Sequence, residues 1–353
     1  MTLPTTHPLV RFDTAQAPLI QAYRGIRPAR QPVWFMRQAG RSLPEYRSLR
    51  THSTMLDACL TPEVAAEITL QPVRRHDVDA AIFFSDIVLP LKVAGIDVDI
   101  KPGVGPVMGR PVRTAEDVAA LPELEPDALS PIVDAIGICI EELQSTPLIG
   151  FAGAPFTVAS YLVEGQPSRD HLVTRALMHS DPETFSRLLA WVARSTVTFL
   201  KAQIEAGASA MQLFDSWAGM LNPDDYRQNV AKHSTFVFDQ MAPYGVPRVH
   251  FGTKTGEILR DLKACGADVV GVDDRISMAT ALDRLGDDVV VQGNIDPARL
   301  FTPWETLRAH IDDVRNAGMR APAHVMNLGH GVPPDTDPDV LTRAVAYIHG
   351  ETV

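Results

Sequence analysis

The sequence predicts an α/β protein folded as a single (β/α)8 TIM barrel, with its active site at the C-terminal face of the strands. Three observations predict this fold: eight short apolar runs, helical patterns in most gaps between them, and a weak internal repeat. In the repeat, DAAIFFSD (79–86), ASAMQLFD (208–215) and ADVVGVD (267–273) each place aspartate after an apolar run. Strands buried on both faces, each leading through a polar loop into a helix, are typical of such a barrel.

Each predicted strand is a run of β-branched or aromatic residues that ends near Gly, Asp or Ser. A doubly wound sheet would show a similar alternation of strands and helices. That alternative lacks its usual nucleotide-binding signal, because no Gly-x-Gly-x-x-Gly motif follows the first run. The eight predicted strands are 33–36, 80–84, 148–151, 210–214, 248–251, 269–272, 289–292 and 324–328.

Helical patterns fill most of the gaps, and four of them are well defined. One begins with Asn222 and Pro223, an N-cap residue followed by proline at the first helical position. The connection 87–114 is unusually long, and it either forms a short hairpin over the barrel mouth or is a solvated excursion with no role. The predicted helices are 182–206, 223–241, 256–265 and 302–317, and the hairpin strands are 97–100 and 104–108.

Composition restricts the classes of function. We expect one domain over residues 1–353, whose formal charge of 32 − 43 = −11 disfavours nucleic acid and anionic membranes. The longest uncharged apolar stretch, 148–163, is broken by glycine and proline, so no membrane insertion is expected. Three scattered cysteines and no apolar leader predict a cytoplasmic protein without disulfides or a zinc site.

The segment after the first predicted strand is basic within an acidic chain. Residues 30–50 contain five arginines and one glutamate, a local charge of 5 − 1 = +4. A planar guanidinium binds carboxylate or phosphate through two hydrogen bonds, so the pair Arg37 and Arg41 indicates an anionic ligand. Surface stacking or ion pairing is the alternative, mainly for Arg47 and Arg50.

Four further residues that follow predicted strands are candidates for the active site. Asp86 ends a buried run, where a carboxylate needs donors or a cation; it either serves the site or caps the next segment. His330 lies between two glycines and is a ligand, a catalytic group or only a hydrogen-bonding element. Tyr161 either faces the site or is a core tyrosine. No Gly-x-Ser-x-Gly elbow surrounds Ser216, so a nucleophilic serine is not expected.

Six segments, in order along nearly the whole chain, resemble the uroporphyrinogen decarboxylases. The resemblance implies a single-domain barrel that acts as a homodimer and needs neither metal nor organic cofactor. One departure is Asp273-Asp274-Arg275, where the family has tryptophan after the first aspartate, and the role of Asp274 and Arg275 stays open. The segments are PVWFMRQAGRSLPEYR (32–47), FFSDIVLPLKVAG (83–95), GFAGAPFTVASYLVEG (150–165), MQLFDSWAG (211–219), VQGNIDP (291–297) and NLGHGVPPDTDP (327–338).

The family substrate is uroporphyrinogen, which carries four acetate and four propionate groups, and the reaction converts the acetates to methyls. Protonation of a pyrrole α-carbon lets the substrate accept the electrons itself, so no cofactor is required. Asp86 would accept hydrogen bonds from the pyrrole N–H groups, and Arg37 would act on the reacting acetate. The resemblance implies substrate contacts at Arg37, Ala39, Arg41, Arg50, Asp86, Tyr161, Ser216 and His330.

Two other functions fit the same barrel. A zinc-dependent methyltransferase binds metal through a His-x-Cys pair, but this chain has His250 followed two residues later by Gly252. A non-catalytic tetrapyrrole-binding protein is the second alternative, since a fold alone does not prove activity. The presence of Arg37, Arg41 and Asp86 counts against it.

Overall fold

Seven parallel strands form one curled sheet at the centre of the molecule. The computed structural model describes residues 2–11, 13–51 and 53–352. Within this part, the sheet strands follow one another in chain order, and two further strands pair as a separate antiparallel hairpin. The strands are β1 (Ala81–Ile82), β2 (Val98–Lys101) and β3 (Gly105–Met108) of the hairpin, β4 (Leu148–Gly153), β5 (Ala210–Asp215), β6 (Arg248–Gly252), β7 (Val269–Gly271), β8 (Val290–Gln292) and β9 (His324–Val325).

The predicted α/β class with a parallel sheet is confirmed. Seven of the eight predicted runs contain a sheet strand, and each strand pairs in parallel with the next one along the chain. The strands are almost entirely buried, because helices cover one face and side chains fill the other. Several strands are shorter than predicted, most of all β9, which ends three residues before the predicted end of its run.

Helices occupy the gaps between strands, as the apolar patterns predict. A helix begins at Pro155 directly after β4, and its N-cap Ala154 has extended backbone that proline at the next position favours. The α-helices are α1 (Pro8–Arg11), α2 (Pro18–Tyr23), α3 (Pro44–Leu49), α4 (Met55–Cys59), α5 (Pro62–His76), α6 (Leu89–Val93), α7 (Ala115–Ala119), α8 (Ser130–Leu143), α9 (Pro155–Glu164), α10 (Leu172–Ser180), α11 (Pro182–Ala206), α12 (Pro223–Asp225), α13 (Ala231–Met241), α14 (Leu259–Ala264), α15 (Met278–Leu285), α16 (Trp304–Gly318) and α17 (Pro338–His349).

The four predicted helices are present, with two corrections. The helix predicted at 182–206 is α11, with the predicted bounds, and 302–317 corresponds to α16. The helix predicted at 223–241 is not continuously α-helical, because a π-helical segment, Tyr226–Val230, separates α12 from α13. Asn222 caps α12 as predicted, accepting the N–H of Asp225 at 2.9 Å. The helix predicted at 256–265 begins with a 3₁₀ turn before α14.

The first predicted strand, 33–36, is not formed as a strand. Val33 makes one isolated parallel bridge to Met326, which follows β9. The N–H of Trp34 donates to the carbonyl of Met326 at 3.3 Å. The ladder ends there, because the N–H of Phe35 donates to the side-chain oxygen of Gln38 at 2.9 Å. A side chain that takes a backbone donor ends strand pairing at this point.

The sheet curls so far that strands distant in the sheet order exchange side-chain hydrogen bonds. Gln292 on β8 donates to Gln212 on β5 at 2.9 Å, although β6 and β7 lie between them in the sheet. Trp34 donates to Gln292 at 3.1 Å across the same interior. The Val33 segment lies between the two sheet edges, since Asp79, just before β1, donates its N–H to the carbonyl of Val33 at 2.8 Å.

The long connection 87–114 contains the predicted hairpin. Strands β2 and β3 pair antiparallel from Val98 opposite Met108 to Lys101 opposite Gly105. The N–H of Met108 donates to the carbonyl of Gly165 at the end of α9 at 2.7 Å. The hairpin is therefore formed and tied to the helix that follows β4, and a role for it at the active site stays a prediction.

Among the described residues, no helix has both the length and the apolar character that crossing a bilayer requires.

Candidate active site

The predicted site residues lie in segments that follow either the Val33 segment or the carboxyl ends of the strands β1, β4, β5 and β9. In an α/β fold of this kind, catalytic groups come from these ends and from the loops after them. In chain order they are Arg37, Ala39 and Arg41 in the turn before α3, Arg50 directly after α3, Asp86 after β1, Tyr161 in α9, Ser216 after β5 and His330 after β9.

Arg37 has an unusual backbone conformation within a tight turn. Its φ of 61° lies in the left-handed region, which residues other than glycine rarely adopt. A Cβ atom on Gly40 would lie 2.9 Å from the carbonyl oxygen of Arg37, so glycine permits the close return of the chain. Ala39 is half-buried inside this turn. The turn directs the Arg37 side chain across Gly331, where a Cβ would lie 2.4 Å from Cδ of Arg37.

Asp86 is half-buried just beyond β1. Burial is the main influence on this carboxyl and raises its pKa, while the N–H of Val88 and the positive charge of Arg37 act in the opposite direction. Val88 donates to Oδ1 of Asp86 at 2.9 Å. Asp86 thus caps the following turn, as one interpretation of the sequence expected, and also interacts electrostatically with Arg37.

Tyr161 joins Asp86 and Arg37 to the loop after β5. Burial, followed by the nearby Asp86 carboxylate, raises the pKa of Tyr161 to about 12, and the Arg37 cation opposes this rise. Its ring packs edge-on against Trp217 at 5.9 Å between centroids. The ring of His171 lies 4.7 Å from Trp217 on another side. Tyr161 is therefore neither fully buried nor a simple core tyrosine, and its phenol borders the charged groups.

Arg50 is held beside the aromatic ring of Tyr46. Its guanidinium lies 5.7 Å from the ring centroid, and Nη1 donates to the sulfur of Met55 at 3.0 Å. Burial raises the pKa of Tyr46, and the positive charges of Arg50 and Arg41 lower it, so both arginines lie near this ring. Arg47 instead donates to main-chain carbonyls of the same turn, including that of Arg41 at 2.6 Å. Arg47 thus stabilises the turn through main-chain carbonyls rather than through the stacking or ion pairing of the surface alternative.

Ser216 is held by its main chain. The hydroxyl of Thr253 donates to the carbonyl oxygen of Ser216 at 2.6 Å. The residue before it, Asp215, is fully buried, and its Oδ1 accepts the hydroxyl of Thr157 at 2.8 Å. The residue after it, Trp217, donates its N–H to the same hydroxyl oxygen at 3.1 Å. The half-buried side chain of Ser216 therefore projects from a turn that is fixed on both sides.

A second fixed turn carries the two residues that depart from the family pattern. The buried carboxylate of Asp273 accepts the N–H of Lys254 at 2.5 Å and that of Arg275 at 3.4 Å. The amide of Asn294 donates to the carbonyl oxygens of Asp273 at 2.8 Å and of Ile276 at 2.6 Å. This turn presents the side chains beyond Asp273 at the same end of the sheet as the predicted site.

His330 lies beside this turn and beside Arg37. A Cβ on Gly329 would lie 2.6 Å from Cβ of Asp274, so the main chain before His330 packs directly on Asp274. Loss of water and then the Arg37 cation lower the pKa of His330, while the Asp274 carboxylate raises it and Arg275 lowers it. The charge of Arg37 therefore acts on His330, as it does on Asp86 and Tyr161.

His250 lies at the position where the methyltransferase alternative requires a metal ligand. His250 is fully buried, and its Nε2 lies 3.7 Å from Oδ2 of Asp215. Within the described ranges, no group of three or more His, Cys, Asp or Glu side chains is arranged as a metal site. The three cysteines are unpaired and buried. A buried His–Asp contact with glycine at 252 does not resemble the zinc thiolate site that this alternative requires.

Two cavities lie at the opposite end of the sheet. Their volumes are about 330 and 450 Å³. The first is lined by residues that precede β1 and β4, including Asp79 and Pro147, and the second by residues that precede β6 and β8, including Pro247 and Asp288. None of the eight predicted site residues lines either cavity, and positions before the strands serve stability more often than catalysis.

Comparison with known proteins identifies the family. The family model described as Uroporphyrinogen decarboxylase (URO-D) matches residues 14–351. The chain belongs to the uroporphyrinogen decarboxylase family. A protein from Arthrobacter sp. (strain FB24), named uroporphyrinogen decarboxylase, is 62% identical over 336 residues, covering 95% of this chain and 97% of its relative. A protein of the same name from Saccharopolyspora erythraea is 56% identical over 352 residues and covers 97% of each chain.

Among solved structures, a methyltransferase from Methanosarcina mazei matches with a TM-score of 0.79 at 18% identity, over 96% of this chain and 98% of that one. At that identity the match shows a shared fold only. The family resemblance inferred from the sequence motifs is therefore confirmed, and family membership supports decarboxylation in tetrapyrrole biosynthesis. The methyltransferase alternative is not favoured.

Sequence interpretation missed two members of this site. It left Trp217 without a role, although the ring contacts Tyr161 and His171. It also missed Thr157, whose hydroxyl bonds both neighbours of Ser216. A signal for Thr157 was present, since residues 157 and 161 are four apart in α9 and lie on one helix face.

Proposed function

We propose that this chain removes the four acetate carboxyls of uroporphyrinogen III as CO₂ and yields coproporphyrinogen III in heme biosynthesis. The observation that carries the proposal is the half-buried Asp86 carboxylate, which the Arg37 cation and Tyr161 approach at the carboxyl end of β1. Membership of the decarboxylase family over residues 14–351 supports it. A basic turn on an acidic protein suits a substrate with eight carboxylates.

The reaction needs an electron sink, and the substrate itself provides one. Protonation of a pyrrole α-carbon leaves a cationic ring. The acetate C–C bond then breaks, CO₂ leaves, and the bonding electrons form an exocyclic double bond that neutralises the ring. A proton added to the exocyclic carbon makes the methyl group, and loss of the α-carbon proton restores the pyrrole. Each cycle therefore exchanges one carboxylate for one proton, and no cofactor is required.

Asp86 and Arg37 are the proposed catalytic residues. Asp86 accepts hydrogen bonds from the pyrrole N–H groups and balances the positive charge that develops on the ring. Its carboxylate is suited to this role because burial makes the anion unfavourable until a cation arrives. Arg37 binds the reacting acetate, and its planar guanidinium fixes the carboxylate orientation. The left-handed backbone of Arg37 directs that side chain.

The other residues bind the peripheral carboxylates. Arg41 and Arg50 provide positive charge beside Tyr46, and Ala39 lies within the turn whose backbone approaches the substrate. The remaining three residues hold propionates or relay protons, since each has a hydroxyl or an imidazole near Arg37 or the loop after β5. They are Tyr161, Ser216 and His330.

We also propose the finer architecture, a closed (β/α)8 barrel that forms a single domain over the whole chain. The Val33 segment would be the eighth strand position, because it bridges to Met326 and accepts the N–H of Asp79. The side-chain hydrogen bond between Gln212 and Gln292 across the sheet interior supports closure. A homodimer follows from the family resemblance, and sedimentation of the purified protein tests it. A cytoplasmic location agrees with three free cysteines.

The decisive experiment is anaerobic incubation with uroporphyrinogen III, followed by separation of the products by number of carboxyls. We expect stepwise loss of four carboxyls and a final product with four. Asp86→Asn should release CO₂ far more slowly under the same conditions, and heat-denatured protein provides the inactive control. Binding of the substrate without release of CO₂ would instead support the non-catalytic tetrapyrrole-binding alternative.

A further inference from the structure

Thr157 connects two parts of the proposed active site through one hydroxyl group. It lies in α9 and has no exposed surface. Its hydroxyl donates to Oδ1 of Asp215 at 2.8 Å and accepts the N–H of Trp217 at 3.1 Å. These two partners are the residues on either side of Ser216. The same helix carries Tyr161 one turn later, on the same face.

The directions of these hydrogen bonds are fixed by chemistry. A main-chain N–H only donates, so Trp217 must be the donor to the threonine oxygen. The single proton of the hydroxyl is then free for the Asp215 carboxylate, which only accepts while it is ionised. Both ends of the turn around Ser216 are therefore attached to the same atom, the hydroxyl oxygen of Thr157. A methyl group in place of this hydroxyl would form a hydrogen bond with neither partner.

The surroundings of Asp215 make the Thr157 hydroxyl hard to replace. Asp215 is fully buried, and its second oxygen, Oδ2, has no hydrogen-bond partner among the described residues. The buried ring of His250 does not fill this place, because its Nε2 is 3.7 Å from Oδ2, beyond hydrogen-bond distance. A buried carboxylate with a single good donor depends strongly on that donor.

We infer that Thr157 is a positioning residue that fixes the Ser216 turn relative to the helix carrying Tyr161. The inference rests on the proposed function, in which Ser216 and Tyr161 both contact the substrate. The Thr157 hydroxyl bonds the residues on both sides of Ser216. This link sets the distance between the Ser216 hydroxyl and the Tyr161 phenol. Thr157 itself does not touch the substrate. It acts by holding two substrate-binding groups, the Ser216 hydroxyl and the Tyr161 phenol, in a fixed position relative to each other.

The structural part is tested by amide hydrogen exchange on Thr157→Val, which keeps the shape and removes the hydroxyl. We expect the Trp217 amide to exchange at least about tenfold faster, because its acceptor is lost. Thr157→Ser should retain protection. The control is Thr14→Val, since the buried Thr14 hydroxyl bonds Ser209 at 2.8 Å just before the other end of β5. That variant should leave the Trp217 amide unchanged.

The functional part is tested by steady-state kinetics on the same variants. Thr157→Val should lower kcat/KM about tenfold, mainly through KM, and Thr157→Ser should restore it to within about twofold. Thr14→Val should leave both constants unchanged. In a Ser216→Ala background, Thr157→Val should add less than about twofold, because the two residues act as a unit.

Three results would overturn the inference. They are unchanged exchange at Trp217 in Thr157→Val, equal loss of kcat/KM in Thr157→Val and Thr14→Val, or fully additive effects in the Ser216→Ala background. Failure of the unmodified protein to release CO₂ would refute the proposed function instead. In that case the exchange comparison still decides whether Thr157 fixes the turn.

Discussion

The aliphatic part of the Arg37 side chain lies directly on Gly331. A Cβ atom at position 331 would lie 2.4 Å from Cδ and 2.7 Å from Cγ of Arg37, closer than real Cβ contacts allow. Gly331→Ala should therefore displace the guanidinium and lower kcat/KM by roughly tenfold or more. Steady-state kinetics on the purified variant measures the effect.

The control for this glycine is Gly137, an exposed position inside α8 where a Cβ would meet nothing within 4 Å. Gly137→Ala should leave kinetics unchanged and raise the free energy of unfolding by about 0.5–1 kcal/mol, since alanine favours helix. Equal kinetics for Gly331→Ala and the unmodified protein would show that the Arg37 position is not critical.

Asp86→Asn should reduce kcat about a hundredfold, because the amide keeps the shape but removes a preorganised negative charge. Burial raises the pKa of Asp86. At any pH above the ordinary pKa of the carboxyl, its ionisation therefore lowers the free energy of unfolding. At neutral pH the variant should therefore melt no lower than the unmodified protein. Activity and thermal unfolding measured on one preparation separate the two effects.

Asp99→Asn is the matched control, because the exposed Asp99 also accepts a nearby main-chain N–H, that of Ile100 at 2.8 Å. We expect it to retain full activity. Near-normal turnover by Asp86→Asn would reject the charge-balancing role.

Arg37→Lys should be severe even though it keeps the positive charge. An ammonium cannot reproduce the planar, two-pronged contact of a guanidinium with a carboxylate. Arg47→Lys should be mild, because Arg47 is exposed and bonds main-chain carbonyls, which an ammonium can also do. Kinetic constants for the pair test this contrast, and equal losses would mean that the turn supplies only diffuse charge.

Asp274→Asn should lower the pKa of His330 further. Loss of water and the Arg37 cation already lower it, and it is raised by the Asp274 carboxylate and, to a smaller extent, by a hydrogen bond with the main chain of Gly331. Without that carboxylate the imidazolium is less stable, so the proton should leave at lower pH. NMR titration of the His330 ring measures the shift. A constant or raised pKa would show that the Asp274 charge does not reach the ring.

Chelation should not affect turnover, and simultaneous Cys59→Ser, Cys139→Ala and Cys265→Ala should spare chemistry. All three thiols are buried, and burial raises their pKa, that of Cys139 to about 12, which disfavours the reactive thiolate. Packing losses of about 1–3 kcal/mol per thiol are expected, so unfolding is measured separately. Loss of turnover with EDTA and recovery with zinc would restore the metal alternative, with His250 as its first ligand to test.

The sequence pattern predicted most strands and helices because periodicity reports burial, and burial is what a parallel sheet imposes. It could not predict where strands end near the site. The N–H of Phe84 donates to the Thr69 hydroxyl at 2.9 Å, and the N–H of Met36 donates to Asn327 at 3.1 Å. Partners so distant in sequence leave no local signal, so β1 and β9 end before the predicted ends of their runs, whereas β4, β5 and β6 continue beyond theirs.

The site was predictable to a similar extent. The spacing of the arginines indicated an anionic ligand. The residues after the strands belong to the motifs that resemble the family. The left-handed backbone of Arg37 and the packing of Asp274 on Gly329 were not predictable, because neither residue type signals its conformation. These relationships depend on segments brought together only by the fold. The individual roles of the eight site residues stay predictions.

The bridge between Val33 and Met326 has a consequence for synthesis on the ribosome. The two residues are separated by nearly the whole chain, so the partner of Val33 emerges only near the end of translation. Until then the Val33 segment and the growing edge of the sheet present unpaired N–H and C=O groups, which favour association with other chains. We therefore expect nascent chains stalled before Met326 to depend on chaperones, and release of the last segment to end that dependence.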